Sequence, residues 1–171
     1  MNTGSILLAY ATRYGSTQEV AEAIAAELRE AGLAVDVQVM RDVQSVARYD
    51  AVVLGAAVYS TRWHPDAHDF LSRHRETLQQ RPVAIFALGP LSTDDAAMLS
   101  SRRQLEKDLK KYPWLKPVAR EMFVGRQRPS GPGLFGSPRP AADNRDWDAI
   151  RRWAGALAAS LKTEVTAPAG A

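Results

Sequence analysis

A chain of 171 residues, 46% hydrophobic and 24% charged, is long enough for one domain with a full core and has the composition of a soluble globular protein. It has no cysteine, which excludes disulfides, thiolate metal centres, iron–sulfur clusters and cysteine nucleophiles. The net charge of +3 is mildly basic and admits two readings, a solvated surface or attraction to an anionic partner; a charged partner would dock on the most basic stretch, 102–128. Because the basic residues form no dense run with aromatics between them, no nucleic-acid partner is expected. No apolar run approaches a membrane span and no basic leader precedes the first strand, so a cytoplasmic protein without an integral membrane segment is the expectation, peripheral contact remaining open.

The apolar run Ile6-Leu7-Leu8-Ala9-Tyr10 reads as the first strand and enters the turn Thr12-Arg13-Tyr14-Gly15-Ser16-Thr17. An amphipathic helix leaves that turn, with Val20, Ile24 and Leu28 on one face and Gly32 at its end. A hydroxyl-rich strand-to-helix turn presents free backbone N–H groups and the positive end of a helix dipole, a receptor for phosphate. Val35 to Val39 alternates, as in a strand with one wet side. Ala51 to Gly55 is continuously apolar, as in a strand covered on both faces. A loop is expected over 56–64, then a helix opened by Pro65 with Ala67, Phe70, Leu71, His74 and Leu78 inward.

Val83 to Leu88 is a second fully apolar strand and runs into Gly89-Pro90-Leu91. A polar helix carrying Leu99, Leu105 and Leu109 follows, then a mixed strand over 118–124 and a Pro/Gly-rich loop over 125–144. Asn144 is a candidate N-cap for a last helix with Trp147, Ile150, Ala154, Leu157 and Leu161 on one stripe. Residues 1–163 thus read as one domain, and 164–171 as a disordered tail. Five strands alternating with helices predict a parallel sheet in a three-layer α/β/α sandwich. The mixed second and fifth strands belong at its edges, which gives the order 2-1-3-4-5. The switch point then lies between strands one and three, where the loops after strands one, three and four converge.

No P-loop and no dinucleotide-binding glycine turn is present, and the acidic residues of a phosphoaccepting receiver are missing after strand one. What remains is a hydroxyl-lined phosphate loop, an aromatic loop and a Gly-Pro loop at one crevice, suited to a phosphate joined to a large flat ring. At this point the sequence resembles the flavodoxin family: residues 12–17 match its [ST]-x-[TY]-G-x-T signature in the right place. The resemblance implies FMN as cofactor, held at its phosphate by Thr12, Arg13, Tyr14, Gly15, Ser16 and Thr17, with Arg13 either adding charge or pointing into solvent. It implies that Ala57, Tyr59 and Trp63 flank the isoalloxazine, either aromatic stacking on it or serving in the core. It implies that Gly89, Pro90 and Leu91 border the pyrimidine edge, with Asp94 and Asp95 either lowering the flavin potential or capping the next helix.

Within that family the chain is most similar to flavodoxin-domain proteins of the menaquinone-dependent protoporphyrinogen oxidase type, through Tyr49 to Ala56 and Trp63-His64. It lacks their long insertion, having in that region only the 125–144 loop, whose Leu134 and Phe135 either cover the flavin, touch a partner or belong to a linker. The expectation is an oxidoreductase that passes electrons through non-covalent FMN from a redox donor to a quinone or other small acceptor. The alternative is a soluble electron carrier between proteins. No metal site is expected, no catalytic side chain stands out, and oligomeric state is left open.

Overall fold

The computed structural model describes residues 4–59, 62–128 and 141–166. Five strands form a parallel sheet: β1 (Ser5–Ala11), β2 (Ala34–Val39), β3 (Ala51–Tyr59), β5 (Val83–Leu88) and β6 (Ala119–Phe123). Their order is β2-β1-β3-β5-β6, so in chain order the parallel strands run 2-1-3-4-5 as the polarity of the edge strands predicts. Ile6 pairs with Val35 on one side and with Ala51 on the other, and Leu54 with Ile85. The short β4 (Arg62–Trp63) turns back antiparallel on β3, and a separate two-stranded ribbon joins β7 (Arg126–Gln127) to β8 (Ala142–Asp143).

Every parallel strand side chain must find a helix, because both faces of such a sheet are covered. Helices α1 (Ser16–Glu30) and α5 (Trp147–Thr166) pack on one face, where Ile24, Leu28, Ile150 and Leu157 meet Ile6, Leu8 and Val53. Helices α2 (Pro65–Arg73), α3 (Arg75–Leu78) and α4 (Asp95–Leu109) cover the other, where Phe70, Leu71, Leu78 and Leu105 meet Leu7, Val52 and Ile85. The alternation along β1 divides its side chains between these two cores.

Four expectations are corrected. Strand β3 continues through Tyr59, so most of the expected 56–64 loop is an extended strand and a hairpin. Its residues Ala56, Ala57 and Val58 stay apolar, and the strand goes on for as long as the helices cover it. The single helix expected from Pro65 to Leu78 breaks at His74, whose φ of −110° leaves the helical range. The N-cap of α5 is Asp146, whose Oδ1 accepts from the Ala149 N–H at 2.9 Å; Asn144 instead donates to the Leu91 carbonyl at 2.8 Å. Finally, α5 runs through Thr166, inside the expected tail, because Val165 packs on Gly4. Residues 167–171, like Leu134 and Phe135, lie outside the described residues.

Gly55 sits in the central strand beneath the Phe86 ring. A Cβ built there would lie 1.9 Å from Phe86 Cζ, a distance no packing tolerates, so the ring occupies the space that any larger residue needs. Overpacking of this kind costs about 1–3 kcal/mol. Gly55→Ala is therefore expected to lower unfolding free energy by an amount in that range in a denaturant titration. Adding Phe86→Leu should return part of the loss.

Candidate functional site

The loops after β1, β3 and β5 meet at the carboxyl ends of the strands around a cavity of about 720 Å³. Tyr14, Ser16, Ala57, Tyr59, Gly89, Pro90 and Leu91, all singled out in the sequence, line it. Thr12, Arg13, Gly15 and Thr17 complete the turn behind Tyr14 and Ser16 without lining the cavity. Trp63 does not reach it. It is 1% exposed in the core under α2 and α4, and its backbone N–H donates to Asp108 Oδ2 at 2.9 Å. The antiparallel turn of β4 directs it there, so the stacking reading is corrected in favour of the core one and Tyr59 alone remains beside the ring position.

The turn after β1 is shaped by one glycine. Gly15 has φ +86° with open space where a Cβ would be, so the demand is for the left-handed backbone rather than for room. Its N–H donates to Thr12 Oγ1 at 2.9 Å, which draws the loop tight. No side chain caps the first turn of α1 that follows, leaving the dipole end to backbone groups alone. Thr17 is fully buried, and its Oγ1 has no hydrogen-bond partner among the described residues. A buried hydroxyl without a partner costs about 1–3 kcal/mol, and next to an uncapped helix start it suits an acceptor-rich anion.

A charged network braces this turn from outside. Arg145, with only 2% of its side chain exposed, bonds Glu19 Oε2 at 2.6 Å, Asp143 Oδ1 at 2.8 Å and the Ser16 carbonyl at 3.3 Å. Arg126 Nη1 takes the other Glu19 oxygen at 3.0 Å. Burial pushes the Glu19 carboxyl up, but the Arg145 and Arg126 guanidiniums outweigh it and hold it below the ordinary range. The bonds from Arg145 hold Asp143 down to about 2 from 3.8. Backbone bonds from Gly89 N–H to the Phe123 carbonyl (2.8 Å) and from Gly125 N–H to the Pro90 carbonyl (2.9 Å) knit the third loop to the chain beyond β6.

On the aromatic side, burial pushes the Tyr59 phenol up, partly opposed by Arg13. His64 caps α2: its Nδ1 accepts from the Asp66 N–H at 3.2 Å, which requires an unprotonated Nδ1, and burial does hold its pKa below the ordinary value. Asp94 likewise caps α4 by accepting from the Ala96 N–H, the capping role that the sequence offers it. His68, which nothing in the sequence distinguishes, bonds the Tyr112 hydroxyl at 2.6 Å, while His74 packs on Phe70 as the apolar stripe implies.

Sequence reasoning missed one part of the wall, and in the 125–144 loop it looked to Leu134 and Phe135 rather than to the residues nearest β6. Ala97, Ser100 and Ser101 present small side chains from α4 at helical spacing, and Gly125, Arg126, Gln127 and Arg128 come from the first residues of the long loop. The second group had a signal in the basic run directly following the last strand, at the sheet edge where the crevice opens.

The fold and the cavity define the class: a doubly wound α/β protein with an anion-receptive helix start at its switch point. Residues 7–134 match the profile of the flavodoxin domain, and the chain belongs to the flavodoxin family. Its cofactor is accordingly FMN, and the left-handed glycine, the uncapped turn and the orphaned Thr17 hydroxyl fit a phosphate. A stretch of 84 residues is 31% identical to the protoporphyrinogen IX dehydrogenase [quinone] of Escherichia coli K12, covering 48% of this chain; the chain spans about half the length of that relative, 46%. By fold it is similar to a flavodoxin from the domain Archaea (TM-score 0.59, 16% identity, covering 92% of this chain and 99% of that one). It is also similar to flavodoxin 1 of Bacillus cereus (TM-score 0.56, 16% identity, 97% and 99%). No helix among the described residues is long and apolar enough to cross a membrane.

Two measurements test the geometry of the turn. In flavin-free protein, Thr17→Val should leave stability unchanged or raise it by about 1 kcal/mol, because it removes a buried unsatisfied hydroxyl without changing shape. Asp143, whose folded pKa lies below its unfolded value, contributes stability above pH 3.8 that is lost as pH falls through about 2. Wild type should therefore lose stability over that window more steeply than Asp143→Asn, in denaturant melts taken across acid pH.

Proposed function

We propose that this chain is an FMN-dependent oxidoreductase that accepts electrons from a donor and passes them to a quinone or another small acceptor at the open mouth of the cavity. The observation that carries the reading is the buried, unpartnered Thr17 hydroxyl at an uncapped helix start, next to Ser16 on the cavity wall. When bound, FMN supplies reversible transfer of two electrons, so that a quinone taking them up with two protons becomes a quinol.

The residues of the chain hold and orient. Thr12, Ser16 and Thr17, with the N–H groups after Gly15, receive the phosphate. Several hydrogen bonds to a charged acceptor, each worth roughly 1.5–3 kcal/mol, offset its desolvation without a buried lysine. Tyr59 and Ala57 form the wall against the flat ring, and Gly89, Pro90 and Leu91 present backbone groups along its edge. The likeness of just under half of the chain to a quinone-linked dehydrogenase supports a small-molecule acceptor. A second reading, a carrier that docks on redox proteins, is favoured by Tyr14 and Leu91, which leave 48% and 45% of their surface exposed at the mouth.

The purified protein is expected to be yellow, or to become so on adding FMN, and to bind FMN at least roughly a hundredfold more tightly than riboflavin, which lacks the phosphate. Thr17→Val should weaken FMN roughly tenfold and riboflavin little. A protein that takes up neither flavin sinks the proposal. Sustained turnover with a soluble quinone separates the oxidoreductase from the carrier, which would need a protein partner on each side.

A further inference from the structure

The carboxylates around the start of α1 are both engaged, and two arginines remain over. Four guanidiniums stand on this side of the cavity, those of Arg13, Arg126, Arg128 and Arg145. Glu19 takes Arg126 and Arg145 on its two oxygens, and Asp143 takes Arg145. Two acids therefore balance two of the four cations. Arg13 and Arg128 form no ion pair with a carboxylate among the described residues. Asp94 and Asp95 belong to the start of α4, where Asp94 holds the Ala96 N–H.

Both leftover cations rest on one aromatic ring. Arg128 Cζ lies 4.7 Å and Arg13 Cζ 5.7 Å from the centroid of Tyr14. Tyr14 and Arg128 line the cavity, and Arg126 Nη2 reaches the Tyr14 carbonyl at 3.5 Å. Two like charges gathered on a half-exposed ring repel each other, and the cation–π contacts that hold them also reduce the freedom lost on meeting a ligand. The guanidinium N–H donors stay available in their fixed forks. The field of Arg13 reaches further along the wall: it opposes the rise that burial imposes on the Tyr59 phenol, and at His64 it adds to the lowering that burial causes.

We propose that Arg13 and Arg128, held on Tyr14, form an anion clamp at the cavity mouth for a carboxylate, sulfonate or phosphate carried by the electron acceptor. The inference rests on the FMN reading above. It goes beyond that reading, which gives the cofactor's phosphate to Thr12, Ser16 and Thr17, and adds a site for the acceptor.

The test compares wild type with the Arg13→Gln/Arg128→Gln double variant and with Tyr14→Leu, which removes the shelf but keeps both charges. FMN and riboflavin are titrated by fluorescence. Chemically reduced, flavin-loaded protein is then mixed with naphthoquinone sulfonate or with uncharged naphthoquinone in stopped flow. A double variant that loses FMN affinity by roughly tenfold or more with riboflavin unmoved overturns the clamp, because the two arginines then serve the cofactor's phosphate. The clamp predicts that FMN affinity stays and that the ratio of the sulfonate to the uncharged rate constant falls roughly tenfold, a preference that added salt also erodes in wild type. Tyr14→Leu should give a smaller loss of the same preference for the sulfonate. Wild type that binds FMN while the double variant matches it in both arms overturns the clamp alone; wild type that binds no FMN overturns the cofactor reading beneath it.

Discussion

The first turn of α1 is the constraint that the rest of the structure serves. A helix start without a side-chain cap, followed by a buried hydroxyl without a partner, is unfavourable in isolation. It persists because its surroundings over-determine it. Behind it, Val20, Ile24 and Leu28 fasten α1 to the sheet. Outside it, the buried Arg145 grips both the Ser16 carbonyl and Glu19. The turn is thus fixed at both ends of its own first helical turn before any ligand arrives, which is what preorganisation for an anion requires.

The same arginine explains how a long loop can border a site without loosening it. The chain leaves β6, passes the cavity through Gly125 to Arg128, and returns at Ala142 to pair as the β7–β8 ribbon. Arg145 and Asp143 pin the returning end to α1, while Gly125 and Asn144 bond the carbonyls of Pro90 and Leu91. Two of the loops converging on the cavity are therefore tied to each end of this excursion. On the opposite wall the buried Asp108 does comparable work. It accepts the Trp63 N–H and pairs with Lys111 at 2.6 Å, which anchors β4 and, through it, the Tyr59 end of β3.

The strand order and the phosphate turn were legible in the sequence because both follow from short-range pattern: apolar strands against mixed ones, and a hydroxyl–glycine turn between a strand and a helix. The β3–β4 hairpin was not, since a run such as Ala56-Ala57-Val58-Tyr59 reads as strand or loop until the helices above it are known. Trp63 could not be assigned because an aromatic after a turn has no periodicity to say which side it faces. Asp108 lies on a helix whose pattern is mostly polar, so nothing local marks its carboxylate as the one drawn inward by a distant backbone N–H. The Arg145 network joins residues 19, 126, 143 and 145 across three elements, a coincidence only the fold creates.

Gly4 and Val165 touch at the far end of the sheet, against the amino-terminal edge of β1, while the cavity opens beyond the carboxyl edge. A strand of seven residues separates the two, about 20 Å at the usual rise. Anything mounted on the exposed surface at this end of the sheet, whether a fused carrier, a surface tether or an electrode linker, would stand behind the sheet and leave the mouth clear. The molecule is polar in the engineering sense: one pole for mounting, the other for exchange.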